Sequence, residues 1–405
     1  MLIYFLLFVS VAGLENGLAR LPPMGWMSWT RFYCQIDCER HPFSCINEYL
    51  YKSHADRLAL DGYLEVGYDR IHIDDCWANW QRDGSGKMVE NKTRFPSGMK
   101  GMADYIHKLG LKFGSYGDYG SKTCAGYPGS MNYEKIDAFT FASDWEVDYV
   151  KLDGCNANAD QYKKGYPLFG KYLNQTGRPV VYSCSWPAYI DDKKSIDYKT
   201  IVENCNLWRN YQDIASSWDS LLGIIQVYVR DQDQLIPIHG PGHWNDPDML
   251  IVGNPGVSLG TSRVQMAVWS IWSAPLIMSN DLRIIPQEFA DLLKNTRVIA
   301  VNQDPLGIMG RMVKKTPQLW YFVKPMTPVS KDGKQHSYAI AVVNYSRHPA
   351  KFEFTLGNFN ISSPNGFEVQ ELFLGQKLGH HDKNTVIQST LPVHDAYFIK
   401  ATIVQ

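Results

Sequence analysis

Between about residues 20 and 305, short apolar runs alternate with amphipathic segments, and this alternation constrains the fold more than any other feature of the chain. The runs are "PPMGWMSW", "DRIHIDD", "KFGSYGD", "DYVKLDG", "PVVYSCSW", "NLWRN", "DMLIVG" and "APLIMSND". Between them lie segments such as "SHADRLALDGYLEVG", "GMADYIHKLG", "QYKKGYPLFGKYLNQTG" and "QMAVWSIWS", with apolar residues at helical spacing. Strand and helix taking turns at this pitch imply βαβ units and a parallel sheet. Eight repeats over roughly 290 residues match an α/β protein of the (β/α)8 TIM-barrel type. A doubly wound sheet is the alternative, but the glycine-rich phosphate turn it needs is missing.

Most of these runs end in polar residues: Asp74 and Asp75, Asp118, Lys151 and Asp153, Ser183 and Ser185, Arg209, Asn280 and Asp281. In a parallel barrel all C-terminal strand ends open on one face, where active sites lie. A single carboxylate there serves as a helix N-cap. Six or more polar ends on one rim exceed what capping needs. After "VIAVNQDPLG" a period of two takes over, in "QLWYFVKP", "SYAIAVVNYS", "AKFEFTLGNF", "FEVQELFLG", "TVIQSTL" and "AYFIKATIV". Turn residues interrupt these runs, as in an antiparallel β-sandwich. The expected organisation is a catalytic barrel over residues 14–310 and a C-terminal antiparallel β domain over 311–405, the latter in a supporting role.

Residues 1–13 read as a secretory signal peptide, ending in the small residues Val11-Ala12-Gly13, with an uncleaved anchor as the alternative. The run is shorter than the roughly 20 apolar residues of a membrane span, and no later segment of that length is free of charge. Eight cysteines, an even number, suit an oxidising compartment, and the absence of a C-x-x-C pair speaks against zinc. Sequons at Asn91, Asn174, Asn344 and Asn360 point the same way. A net charge of −1 removes the electrostatic case for nucleic acid. Aromatic content reaches 13%, which suits either a ring-rich core or a sugar site.

"KLDGCN" sets Asp153 at the mouth of the fourth strand behind Lys151, and "WRNYQD" sets Arg209 and Asp213 after the sixth. A carboxylate close to two cations stays ionised, as a nucleophile must. A second carboxyl on a longer loop can exchange protons, and two carboxyls about 5–5.5 Å apart define a retaining glycosidase. A structural salt-bridge network is the plainer reading of the same residues.

"PPMGWMSWTRF", "IDDCW", "RFPSGM", "SKTCAGYPGS", "KLDGC", "YSCSWPAY", "LWRNYQDI", "GPGHWNDPDML", "APLIMSNDLR" and "NQDPLG" together resemble the animal lysosomal α-galactosidase and α-N-acetylgalactosaminidase family. The resemblance runs collinearly from Leu14 to about Gly310 and weakens beyond. It implies a barrel followed by an antiparallel β domain, and hydrolysis of terminal α-linked galactose or N-acetylgalactosamine with retention, without cofactor or metal. By motif, Asp153 is the implied nucleophile and Asp213 the acid/base. The implied substrate-binding residues are Trp29, Asp74, Asp75, Tyr116, Lys151, Ser185, Ala188, Tyr189, Arg209 and Asp248. Cys34–Cys76, Cys38–Cys45, Cys124–Cys155 and Cys184–Cys205 are the implied disulfides; spacing alone does not choose among the pairings eight cysteines permit. The partners implied are terminal α-GalNAc or α-Gal glycoconjugates, with no nucleic acid and no membrane span, and the implied assembly is a homodimer. The implied location is the lysosome by way of the secretory pathway, with secretion possible in principle.

The galactosidase branch carries a glutamate and a leucine where this chain has Ser185 and Ala188. The smaller pair opens room for a C2 acetamide, so the chain is similar to the α-N-acetylgalactosaminidase branch, with α-galactosidase as the alternative main activity. Two departures from the family pattern are "GSYGD" for "GIYAD", behind Tyr116, and Ser121 in place of an asparagine. Trp26, Trp77 and Trp244 read as packing residues. A catalytically silent, galactose-binding lectin-like protein is the alternative of a different class, and a barrel hydrolase using a metal on His243, Asp246 and Asp248 is another. Retention of both Asp153 and Asp213 argues against the lectin.

Overall fold

The computed structural model describes residues 14–404, so the segment read as a signal peptide lies outside the described residues. Eight parallel strands follow one another around a barrel: β1 (Met24–Met27), β2 (Arg70–His72), β3 (Lys112–Asp118), β4 (Tyr149–Asp153), β5 (Val181–Cys184), β6 (Leu207–Arg209), β7 (Trp244–Asp246) and β8 (Leu276–Met278). The ladder runs β7-β6-β5-β4-β3-β2-β1-β8, each of the first seven strands beside its predecessor and β8 beside β1. Nearly every residue of these strands is buried, which is why they read as continuous apolar runs rather than as alternation. Helices such as Glu48–Leu60, Gly98–Lys108, Ala159–Gln175, Trp218–Leu235 and Leu259–Ile271 return the chain between strands. Several start where the sequence supplies a cap. Asn47, Ser217 and Ser258 each accept a backbone N–H with the side chain, and Asn158 forms a reciprocal capping box with Gln161.

The seventh strand is not "DMLIVG". Pro247 has no N–H to continue a ladder, so β7 stops at Asp246 and the chain turns at Asp248, whose φ is 91°. The apolar run then closes the ring in another way. Leu250 makes a single parallel bridge to Met278, its N–H donating to Ile277 O (2.7 Å) and its carbonyl accepting from Ser279 N (2.9 Å).

Eight antiparallel strands follow: β9 (Arg311–Lys315), β10 (Leu319–Val329), β11 (His336–Asn344), β12 (Ala350–Thr355), β13 (Phe367–Glu371), β14 (Lys377–His381), β15 (Val386–Leu391) and β16 (Ala396–Ile403). Six form a sheet in the order β14-β13-β16-β11-β10-β9, and β12 pairs with β15 in a second. β9 and β14 are absent from the runs read in the sequence because both are edge strands, mostly exposed and without an apolar alternation. Alternation in the central strands serves two cores. Leu319, Tyr321, Val323, Ile340, Val342 and Ile399 face the β12–β15 sheet. Trp320, Phe322, Ala339, Ala341, Val343 and Phe398 join the core of the barrel. The Lys324 side chain also crosses the seam, donating from Nζ to Ser270 O, Ser273 Oγ and Val301 O.

Disulfides join Cys34 to Cys76, Cys38 to Cys45, Cys124 to Cys155 and Cys184 to Cys205. Among the sequons, Asn174 and Asn360 are exposed and Asn91 is half-buried. Asn344 is a correction. It is fully buried at the end of β11, and its Nδ2 donates to the carbonyls of His348 (2.8 Å), Leu391 (3.3 Å) and Pro392 (2.8 Å). A nitrogen so enclosed has no room for a glycan; Asn344 holds the β11 exit against the turn after β15. Glycopeptide mapping should find Asn344 unmodified. Asn344→Ala, which leaves buried carbonyls unpaired, should destabilise the fold by about 1–3 kcal/mol in thermal or denaturant melts. A glycan at Asn344, or an unchanged melt, would contradict this role.

Candidate active site

The C-terminal ends of β2 to β7 gather their polar side chains into one cluster around two buried cations. Asp153, the last residue of β4, accepts from Tyr189 Oη at Oδ1 (2.7 Å), from Tyr116 Oη at Oδ2 (3.1 Å) and from Gly154 N–H at Oδ1 (3.2 Å). Burial, and then the Asp153 charge, push both phenols above their ordinary range, so they stay protonated and donate. Tyr189 reaches Asp153 across the Cys124–Cys155 disulfide, whose sulfurs lie 3.4 and 3.3 Å from its hydroxyl.

Lys151, two residues before Asp153 on the same face of the strand, donates to Asp74 Oδ2 (2.8 Å) and lies 3.8 Å from Asp153 Oδ2. Burial alone would lower its pKa, but Asp74 and then Asp153 outweigh that, and the ammonium is held charged. Asp74 and Asp75 leave β2 side by side. The Asp75 carboxylate takes N–H donors from Cys76 (2.6 Å) and Ala125 (3.0 Å), and burial pushes its pKa up to about 6. These two carboxyls and Lys151 set acceptors and a donor side by side at the ends of β2 and β4.

The second cation is Arg209 at the end of β6. Its guanidinium lies 2.9 Å from Asp248 Oδ2 and donates to Asp213 Oδ1 (3.1 Å) and Tyr211 O (3.2 Å). Trp29, just beyond β1, donates its Nε1–H to Asp213 Oδ2 (3.1 Å). Asp213 is the open member of the cluster, its side chain 56% exposed. Enclosure by the surrounding walls would raise its pKa, but Arg209 and then Lys151 outweigh this and hold it below the ordinary aspartate value. Asp248 is the opposite case. Burial, against the pull of Arg209, pushes it up to about 7, and its oxygens accept from Ile214 N–H (2.7 Å) and Met249 N–H (2.8 Å).

Ser185 and Ala188 stand just after β5, in the turn that carries Tyr189. Ser185 N–H donates to Leu152 O (3.0 Å) and its carbonyl accepts from Ala188 N–H (3.0 Å), so both small residues are fixed beside the β4 exit. All twelve residues singled out for catalysis or binding thus fall on the same rim. Trp26, Trp77 and Trp244 are buried. His243 turns its Nδ1 to Ile238 O (2.9 Å) and does not gather with Asp246 and Asp248 at ligating distance. The one group of three potential ligands among the described residues is Asp118, Cys124 and Cys155, and those cysteines are bonded to each other.

Asp118, which the sequence places simply at a strand end, organises the loop of Asp153. Its Oδ1 accepts from Gly120 N–H (2.6 Å) and its Oδ2 from Cys155 N–H (3.0 Å), tying the exits of β3 and β4 together. Burial and the nearby Asp153 charge push its carboxyl up to about 9. The two exits pack backbone to backbone: a Cβ at Gly120 would sit 1.7 Å from Cys155 O. A cavity of about 580 Å³ lies elsewhere, around Leu14, Lys171, Asn174, Arg178 and Tyr182, and none of the cluster lines it.

A family model described as alpha galactosidase A matches residues 21–304. Over 369 residues the chain is 47% identical to alpha-N-acetylgalactosaminidase of Gallus gallus, covering 90% of this chain and 89% of that one. It is 41% identical to human alpha-galactosidase A over 382 residues, covering 93% and 87%. The crystal structure of alpha-galactosidase I from Mortierella vinacea superposes with a TM-score of 0.83 at 28% identity, covering 96% of this chain and 98% of that one.

Proposed function

The chain belongs to the alpha galactosidase A family of glycoside hydrolases, and from that premise we propose that it is a retaining exo-glycosidase releasing terminal α-linked N-acetylgalactosamine, and less efficiently α-galactose, from glycoconjugates. The observation that carries the mechanism is the unequal setting of two carboxyls. Asp153 is fixed by two phenol donors beside a buried ammonium, whereas Asp213 is open to the mouth.

In the first step an Asp153 oxygen attacks the anomeric carbon, and the bond from that carbon to the glycosidic oxygen breaks. Asp213, protonated, gives its proton to the departing oxygen. In the second step Asp213, now a carboxylate, takes a proton from water, and that water displaces Asp153 from the anomeric carbon. Two inversions give net retention. Asp74, Asp75 and Lys151 pair the hydroxyls of the galacto ring, and an epimer with its 4-hydroxyl displaced would leave buried charges unmatched. Catalysis is assigned to residues 14–310, and support to 311–405. The acidic lysosome, reached through the secretory pathway, is the proposed compartment, and a homodimer the proposed assembly.

A pH profile follows from Asp213. Since Arg209 and Lys151 hold its pKa below the usual value of about 3.9, the fraction of free enzyme carrying the acid's proton falls about tenfold per pH unit above it. Measured kcat/KM should therefore decline steadily from about pH 5 to about pH 7. A flat or rising profile across that range would contradict the role given to Asp213.

Specificity rests on Ser185 and Ala188. Ser185→Glu combined with Ala188→Leu should fill the space taken by the acetamide while leaving Asp74, Asp75, Asp153 and Asp213 in place. A steric clash of about 1–3 kcal/mol, and a comparable cost for an unpaired buried amide, imply a shift in GalNAc-over-Gal preference on the order of 10²-fold. The test is kcat/KM on matched α-GalNAc and α-Gal aryl glycosides for the wild type and the double variant. An unchanged preference in a folded double variant would place specificity elsewhere.

A further inference from the structure

Tyr33 combines three properties that no packing role explains. Its backbone has φ 45° and ψ −142°, a conformation that bulky side chains avoid and that persists only where the surroundings over-determine it. Its side chain is not the beneficiary of that arrangement, since Tyr33 is 49% exposed. And its ring stands edge-on to Trp29, with centroids 5.7 Å apart and planes at 74°. The backbone is held from both sides: Tyr33 N–H donates to Trp29 O (2.7 Å), and the next residue, Cys34, is bonded to Cys76.

Trp29 is the residue whose Nε1–H holds Asp213. A general acid must come within about 2.6–3.2 Å of the oxygen it protonates, so the departing group emerges beside Asp213. Two half-open rings at a steep angle form an apolar corner at that exit. Pyranose rings present flat C–H faces, and an aromatic side chain with a polar tip matches such a face together with its hydroxyl edge.

We infer that Tyr33, with Trp29, forms the wall that receives the leaving-group sugar, so that the enzyme selects for a saccharide on the departing side. This rests on the catalytic reading given above. Tyr33 is a binding and specificity residue there, and it takes no part in the bond-making steps.

The test compares an α-GalNAc-terminated oligosaccharide with α-GalNAc fluoride, whose leaving group is a single atom and cannot touch the corner. Tyr33→Gly accepts the positive φ, so the variant should fold, and Tyr33→Phe keeps the ring. The ratio of kcat/KM values, oligosaccharide over fluoride, should fall about tenfold in Tyr33→Gly, as expected for one lost ring contact, and stay near the wild-type value in Tyr33→Phe. Equal proportional losses on both substrates would overturn the proposal, because Tyr33 would then act by orienting Trp29 and Asp213. No change on either substrate would overturn it too. A wild type that leaves the fluoride intact would overturn the catalytic reading and this wall with it, whereas an active wild type with an insensitive ratio overturns the wall alone.

Discussion

Lys151 sits out of water between Asp74 and Asp153, and Arg209 sits out of water between Asp248 and Asp213. These two shared cations are the constraint on which the rest of the site depends. A buried charge is tolerable only when paired and hydrogen-bonded, and removing one partner costs about 3–5 kcal/mol because the other is stranded. The barrel meets this demand by bringing the ends of β2, β4, β6 and the β7 turn to one place, so that each cation meets two carboxyls drawn from different strands. Backbone N–H groups from Cys76, Ala125, Ile214 and Met249 satisfy the remaining carboxylate oxygens of Asp75 and Asp248. The same pairing separates the roles of the two outer carboxyls. Lys151 and the phenols immobilise Asp153, while Arg209 and Trp29 each hold one oxygen of Asp213, whose side chain stays open at the mouth.

The C-terminal sheets matter to this arrangement indirectly. The barrel's weakest seam is the junction of β7 and β8, where a single bridge at Leu250 replaces a ladder. The helix Leu259–Ile271 spans that junction and packs against β10, β11 and β16, which also share the barrel's core. Trp320, Phe322 and Phe398 thus bury their rings in the same core as the helix that spans this junction.

How far the sequence reveals this depends on the physical signal each feature leaves. Seven of the barrel strands were legible because burial on both faces forces an apolar run that ends in polar residues. The seventh was misplaced, since "DMLIVG" is more apolar than "WND", and only the missing N–H of Pro247 marks where the ladder stops. β9 and β14 leave no alternation to read because both of their faces are largely in water. Asn344 matched a sequon by three letters, while its burial depends on β11 and the turn after β15, which are far apart in sequence. Asp118 is legible as a polar strand end, but its hold on Gly120 and Cys155 depends on the backbone of a neighbouring loop, and the strained φ of Tyr33 leaves no composition or spacing signal.

The central claim is that Asp153 forms a covalent bond to the sugar while Asp213 manages protons. A mechanism-based cyclophellitol-type reagent of galacto configuration, followed by proteolysis and peptide mass analysis, tests it most directly. The account predicts a single stoichiometric adduct on the peptide containing "KLDGC", located at Asp153. An adduct on Asp213, Asp74 or any other carboxylate, or complete inactivation without covalent labelling, would contradict it.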